Sequence, residues 1–169
     1  RSRRQRQMCI RDSYHTAAVR RGNSHAFIMT DLPFMSYATL NDALQSAKKV
    51  MQAGAQMIKI EGGAWLSESV RVLTQNGIPV CVHLGLTPQS VHVFGGYKLQ
   101  ARTREAADQL IADCTAVVDA GAAILLLECV PAQLGQEIAE LFPNIPVIGI
   151  GAGHQTDGQV LVVQDMLGL

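Results

Sequence analysis

The 169-residue sequence has few aromatic residues, no CxxC pair and no excess of charge of either sign. Only 5% of its residues are Phe, Trp or Tyr, and no apolar run approaches the roughly 20 residues that cross a membrane. Its four cysteines, Cys9, Cys81, Cys114 and Cys129, lack metal-ligand spacing, which argues against a zinc site and a disulfide framework. We therefore expect a cytoplasmic protein with no membrane partner.

The charges balance, with 14 Lys and Arg against 14 Asp and Glu, but they are unevenly distributed. Residues 1–13 contain five arginines and one aspartate, so residues 14–169 carry the compensating negative charge. This balance argues against a nucleic-acid partner. The change of composition at residue 14 predicts that residues 1–13 form a segment distinct from the rest of the chain.

Short apolar runs alternate with amphipathic stretches from about residue 26 onward. The stretches between the runs have apolar residues spaced by three or four, as in helices that bury one face. Repeated strand and helix signals with almost wholly apolar strands predict an α/β protein with a parallel sheet covered by helices. Thr39, Ser67 and Thr87 are each suited to cap a helix start. The five predicted strands are 26–30, 57–60, 80–82, 124–127 and 147–150.

Two of these strands end on a carboxylate within a weak internal repeat. Gly54 is followed seven residues later by Glu61, and Gly121 is followed seven residues later by Glu128. Because side chains alternate along a strand, Lys59 shares the face of Glu61. Each repeat unit therefore ends its strand with an ionisable group.

Two more polar residues end strands at the same level, Asp31 after the first run and His83 after the third. If the sheet closes into a barrel, its strand ends meet at the C-terminal rim, where such barrels build their sites. A doubly wound dinucleotide-binding sheet is the alternative, because residues 149–153 contain a glycine-rich turn. That turn is only a fragment of G-x-G-x-x-G, so we favour the barrel.

The residue types at this rim suit metal-assisted acid–base chemistry. Asp31 and Glu61 could hold Mg²⁺, which usually takes one or two protein carboxylates. Lys59 could neutralise a substrate carboxylate or an oxyanion, and Glu128 could transfer a proton.

Each of these residues also has a simpler interpretation. Asp31 could cap a helix, and Lys59 with Glu61 could be a surface ion pair of about 0 to 1 kcal/mol. Cys81 shares the face of His83, as a nucleophile pair would, but a Cys in an apolar strand is usually a small core residue.

Seven motifs, in order, closely resemble the ketopantoate hydroxymethyltransferase family. They cover the chain from about Tyr14 to its end, and several long motifs in order are a more specific signal than any one alone. The motifs are residues 14–22, 31–35, 58–63, 83–90, 94–98, 127–131 and 148–153.

The resemblance implies a (β/α)₈ TIM barrel that assembles as a homo-oligomer, a decamer. It implies transfer of a hydroxymethyl group from 5,10-methylenetetrahydrofolate to 3-methyl-2-oxobutanoate, which gives 2-dehydropantoate for pantothenate biosynthesis. Carried over by motif, Asp31 binds Mg²⁺ and substrate, and Glu61 helps to hold the metal. Lys59 and His83 contact the substrate, and Glu128 is the catalytic acid/base.

The sequence also departs from the family. It has five strand signals where the family's barrel has eight, and the Gly-Asp-Ser motif, which supplies another metal ligand, is absent. Asp12 and Ser13 imitate that motif without its strand and glycine, so we do not assign them its role. We expect residues 14–169 to be a barrel truncated at both ends, and residues 1–13 to be a non-family segment resembling a translated sequencing adapter.

Three functional hypotheses follow from the resemblance and its gaps. The first is the hydroxymethyltransferase, with the 169-residue chain itself expected to be inactive. The second is a related Mg²⁺-dependent lyase or aldolase that acts on another 2-oxo acid. The third is an inactive fragment.

Overall fold

The computed structural model describes the backbone of residues 3–169 and the side chains of residues 11–169. Helices and strands alternate from the first strand onward. The helices are α1 (Arg3–Gly22), α2 (Leu40–Gln52), α3 (Ser67–Gln75), α4 (Val91–Phe94), α5 (Arg104–Asp119), α6 (Ala132–Leu141) and α7 (Val163–Leu167). The strands are β1 (Met29–Asp31), β2 (Met57–Glu61), β3 (Val80–Gly85), β4 (Ile124–Glu128), β5 (Val147–Ile150) and β6 (Gly158–Gln159).

The six strands form one parallel sheet in the order in which they occur along the chain. A doubly wound sheet reverses its strand order part-way, so this order excludes the dinucleotide-binding alternative. The sheet curls as a partial barrel does, which confirms the predicted fold class. The five predicted strands are present, and β6 is an addition. It has only two residues, Gly158 and Gln159, and no apolar run that could have predicted it.

The two faces of the sheet differ in composition, as the alternation of side chains predicts. The face toward the helices carries residues such as Ile58, Ile60 and Val82, which join a large core with the buried sides of the helices. The concave face has a small apolar cluster of Met57, Cys81 and Leu126. The polar strand residues therefore lie on the face that the helices do not cover.

The predicted helix starts are confirmed in one case of three. Thr39 caps α2, its hydroxyl accepting a hydrogen bond from the Asp42 N–H at 3.2 Å. Ser67 is the first residue of α3 instead of its cap, and its hydroxyl donates to the carbonyl of Ala116 at 3.2 Å. Thr87 precedes a 3₁₀ turn without a capping hydrogen bond from its side chain. The prediction for Ser67 is wrong because a 3₁₀ turn precedes α3, whereas Thr87 occupies the predicted cap position without bonding through its side chain.

Helix α1 passes residue 13 without a break. The distinct segment predicted for residues 1–13 lies partly outside the described residues, and its origin stays a prediction. Within the part of the chain that the structure describes, no helix is long and apolar enough to cross a membrane.

We predict that Gly135→Ala destabilises the fold. Alanine in a helix interior normally stabilises by about 1 kcal/mol over glycine. Here, however, a Cβ would stand 2.4 Å from the carbonyl oxygen of Ala152. Urea unfolding should show a loss of about 1–3 kcal/mol in the free energy of unfolding. The exposed Gln133→Ala on the same helix is the control, and an unchanged or higher stability for Gly135→Ala would contradict the close contact.

Candidate active site

A cavity of about 740 Å³ opens on the concave face of the sheet, and we call it the central cavity. All five polar strand residues predicted from the sequence line it, together with apolar side chains of the same strands. The polar residues are Asp31, Lys59, Glu61, His83 and Glu128. The structure thus brings together the whole predicted set.

Lys59 links the first two carboxylates of this set. Its ammonium Nζ lies 2.5 Å from Asp31 Oδ2 and 3.2 Å from Glu61 Oε1. The side chains of Lys59 and Glu61 are only 14% and 3% exposed, so the interpretation of a surface ion pair is wrong. Asp31 does not cap α2, whose cap is Thr39, and its carboxylate accepts from Lys59 instead.

Glu61 is held in its charged form by its surroundings. Burial alone would raise the pKa of Glu61, but the nearby His83 imidazole, the hydrogen bond from the Gln89 N–H and the charge of Lys59 outweigh it and lower the pKa. The Gln89 amide donates to Oε2 at 2.9 Å, while Oε1 faces Lys59. Each oxygen of the Glu61 carboxylate therefore faces either a cation or a hydrogen-bond donor.

His83 lies between Glu61 and Glu128. Its Nε2 is 3.1 Å from Glu128 Oε2 and its Nδ1 is 3.7 Å from Glu61 Oε1, although neither contact has the alignment of a good hydrogen bond. Burial would lower the pKa of His83, but the two carboxylates outweigh it and raise the pKa. The imidazole is thus flanked on both sides by acceptors for its N–H groups.

Tyr37 and Gln89 support Glu61, although no role was predicted for either residue from the sequence. The Tyr37 hydroxyl accepts from the Glu61 N–H at 3.2 Å and donates to Gln89 Oε1 at 2.8 Å. The Gln89 side-chain amide donates to the carbonyl of Leu32 at 2.9 Å. Tyr37 lies in a turn and Gln89 in a short 3₁₀ helix, where no periodicity marks a side chain as inward-facing. Gln89 belongs to one of the recognised motifs, which was the only signal available.

Cys81 and Asp12 can also be placed. Cys81 is fully buried, and burial raises the pKa of its thiol to about 12, so the interpretation as a core residue holds and a thiolate nucleophile is disfavoured. Asp12 on α1 lies near enough to Asp31 to feel its charge. Burial raises the pKa of Asp12, and the negative charge of Asp31 raises it further by a smaller amount.

The comparison with protein families agrees with the residues of this site. The profile described as Ketopantoate hydroxymethyltransferase matches residues 7–169. The chain belongs to the ketopantoate hydroxymethyltransferase family. The match begins inside the segment that the sequence analysis set apart.

Relatives of this family in several bacteria are named 3-methyl-2-oxobutanoate hydroxymethyltransferase. The protein of Acinetobacter baumannii (strain AYE) is 91% identical over 157 residues, 93% of this chain and 58% of that relative. The protein of Marinomonas sp. (strain MWYL1) is 59% identical over 156 residues, 92% of this chain and 56% of that relative. The chain thus spans less than two thirds of the length of these relatives.

Solved structures support the fold alone. A putative phosphonomutase from Burkholderia cenocepacia J2315 has a TM-score of 0.71 at 13% identity, over 95% of this chain and 73% of that one. The 2,3-dimethylmalate lyase, a PEP mutase/isocitrate lyase superfamily member, has a TM-score of 0.57 at 13% identity, over 83% and 50% of the two chains. The chain therefore shares the fold of these two structures.

We predict that Tyr37→Phe destabilises the site and the fold together. The change leaves the buried Glu61 N–H without its acceptor and Gln89 Oε1 without its donor, at a cost of about 1–3 kcal/mol. Urea unfolding measures the loss. Tyr97→Phe, at a tyrosine that is 74% exposed, should change stability by less than about 0.5 kcal/mol. Equal effects of the two changes would remove Tyr37 from this role.

Proposed function

We propose that the chain carries the active site of an enzyme that forms 2-dehydropantoate from 3-methyl-2-oxobutanoate and 5,10-methylenetetrahydrofolate. The observation that carries the proposal is the convergence of five polar groups from four successive strands on one cavity. Each group also lies in a motif of the family. A 2-oxo acid is small enough for a cavity of about 740 Å³ and leaves room for the end of a second substrate.

Glu128 is the proposed acid/base. It ends β4 with its side chain in the central cavity and 16% exposed, so the carboxylate can reach a bound substrate while most water is kept away. Removal of the C3 proton of the 2-oxo acid by Glu128 gives an enolate. The one-carbon unit is bonded to two folate nitrogens, and water adds to its carbon while both C–N bonds break and each nitrogen takes up a proton, which releases formaldehyde. C3 then attacks the formaldehyde carbon, and the resulting alkoxide takes the proton back from Glu128 to become the hydroxymethyl group.

Lys59 and His83 are proposed to orient the substrate. An ammonium that already faces two carboxylates can turn one of its three N–H groups toward a substrate oxygen, where it opposes the growing negative charge of the enolate. His83 contacts Glu128 and can keep that carboxylate directed toward the substrate. No covalent bond between Lys59 and the substrate is required.

The donor set of the central cavity fits Mg²⁺. One oxygen of Asp31 and one of Glu61 face the same cation, which in this structure is the ammonium of Lys59. Three carboxylates against one ammonium and one imidazole leave an excess of negative charge, and a 2-oxo acid adds more. The described residues contain no group of three or more His, Cys, Asp or Glu that could hold a metal. Substrate oxygens would therefore complete the coordination, which is usual for Mg²⁺.

Asp31 and Glu61 are the residues proposed to hold the ion. When bound, Mg²⁺ would supply Lewis acidity, drawing electron density from the keto group so that the C3 proton becomes easier to remove.

We predict that Glu128→Gln abolishes exchange of the C3 proton of 3-methyl-2-oxobutanoate. Glutamine has the shape of glutamate but cannot accept the proton, so exchange in D₂O, followed by proton NMR, should fall by at least about 10²-fold. The assay uses a full-length protein of the family that carries these residues. Mg²⁺ binding should be nearly unchanged.

The matched control is Glu137→Gln, which alters an exposed carboxylate on α6. It should exchange the proton at the rate of the unchanged protein. Persistent exchange by Glu128→Gln would remove Glu128 from its role. Absence of 2-dehydropantoate from a reaction of the unchanged full-length protein would overturn the proposed function as a whole.

We predict that Asp31→Asn weakens Mg²⁺ binding in the presence of the 2-oxo acid by about tenfold or more, because a neutral amide is a poorer ligand for a hard cation. Isothermal titration calorimetry with Mg²⁺ measures the change. Asp119→Asn, at an exposed residue that ends α5, is the control. Equal affinities of the two variants would exclude Asp31 as a ligand.

A further inference from the structure

A second cavity of about 230 Å³ adjoins the central cavity, and we call it the side cavity. The two cavities share Glu61 and Gln89 in their walls. A ligand seated in the side cavity would therefore have one end beside the carboxylates of the active site. The outer wall of the side cavity includes Phe34, Met35 and Trp65.

About half or more of the surface of each of these three apolar side chains is exposed. Trp65 is 64% exposed, Phe34 57% and Met35 46%. Single exposed apolar residues are common, but three that border one cavity form a patch of the kind that marks a binding site. Two aromatic rings and a thioether are suited to contact a flat aromatic ligand.

The patch is held in place by its backbone. Trp65 lies against Gly62 so closely that a Cβ there would stand 2.6 Å from Trp65 Cζ2 and 2.7 Å from Cε2. The missing Cβ of Gly62 leaves room for this contact, so the indole ring packs on the Gly62 backbone while most of the Trp65 surface faces solvent. Met35 has a φ of 63°, a left-handed conformation that is costly for a residue with a side chain and is typical of ligand-binding loops.

The inner end of the side cavity is polar. The Gln89 side-chain amide has two N–H donors, and the hydrogen bonds among the described residues use one of them, to the Leu32 carbonyl. Ser90 adds a hydroxyl to the same wall. A ring with hydrogen-bonding groups at its edge and an apolar face would match both parts of the cavity.

We propose that the side cavity binds the pteridine ring of the folate co-substrate, with Trp65, Phe34 and Met35 against the ring and Gln89 and Ser90 at its polar edge. The proposal rests on the proposed function, which requires such a co-substrate. It also explains how the one-carbon unit would reach the 2-oxo acid. A pteridine ring in the side cavity places the adjoining one-carbon unit toward Glu61 and the central cavity.

Trp65 is the only tryptophan of the chain and lines the side cavity, so its fluorescence should respond to a ligand bound there. Addition of tetrahydrofolate should quench this fluorescence with saturation, after correction for absorption by the ligand with N-acetyltryptophanamide. The fragment p-aminobenzoylglutamate, which lacks the pteridine ring, should not quench. Quenching by the fragment as strong as that by tetrahydrofolate would overturn the proposal.

Two alanine variants test whether tetrahydrofolate binds at the side cavity and not at another exposed aromatic residue. Phe34→Ala should weaken the binding of tetrahydrofolate, read from Trp65, by about tenfold, the usual scale for loss of one stacked ring. Tyr97→Ala removes a more exposed aromatic ring that borders neither cavity and should leave the affinity unchanged. Equal affinities of the two variants would contradict the proposal.

Kinetics distinguish failure of this proposal from failure of the proposed function. In the full-length enzyme, Trp65→Ala should raise the KM for 5,10-methylenetetrahydrofolate about tenfold and leave the KM for 3-methyl-2-oxobutanoate and the oligomeric state unchanged. An active variant with an unchanged folate KM overturns the side-cavity proposal alone. A changed oligomeric state with unchanged folate binding also overturns it, since the patch would then be a subunit contact.

Discussion

The charge of Lys59 is the constraint on which the rest of the site depends. Its ammonium lies 2.5 Å from Asp31 Oδ2 and 3.2 Å from Glu61 Oε1 in a cavity where its own side chain is 14% exposed. Two carboxylates so close would repel each other, and one would take up a proton if no cation lay between them. Lys59 pairs with Asp31 in the sheet register and shares its strand face with Glu61, so backbone geometry itself supplies the balancing charge.

The same geometry explains why so much of the site could be predicted from the sequence. Alternation along a strand separates Lys59 and Glu61 from Ile58 and Ile60 without any knowledge of tertiary structure. A parallel sheet whose strands follow chain order then brings the ends of neighbouring strands together. Every polar residue predicted for the central cavity is on a strand, where both rules apply.

Residues outside the strands could not be found in this way. Tyr37 reaches Glu61 from a turn and Gln89 from a short 3₁₀ helix, and the conformation of such segments depends on contacts that no short-range pattern encodes. Strand β6 has two residues and no apolar run, so neither its length nor its composition signals a strand. Ser67 has the right residue type for a cap, but a 3₁₀ turn precedes α3 and its hydroxyl bonds to Ala116 instead.

Backbone constraints also fix the position of Glu128. Gly85 is its partner in the register of β3 and β4, and a Cβ at Gly85 would stand 2.4 Å from the Glu128 carbonyl oxygen. That oxygen accepts from the Leu86 N–H at 2.8 Å, and Cys129 then leaves the strand with a φ of 49°. Strand β4 thus packs closely against Gly85 of β3, and the chain changes direction at Cys129. These contacts hold the backbone of Glu128, and its carboxylate meets His83 without the hydrogen bonds that hold the carboxylate of Glu61.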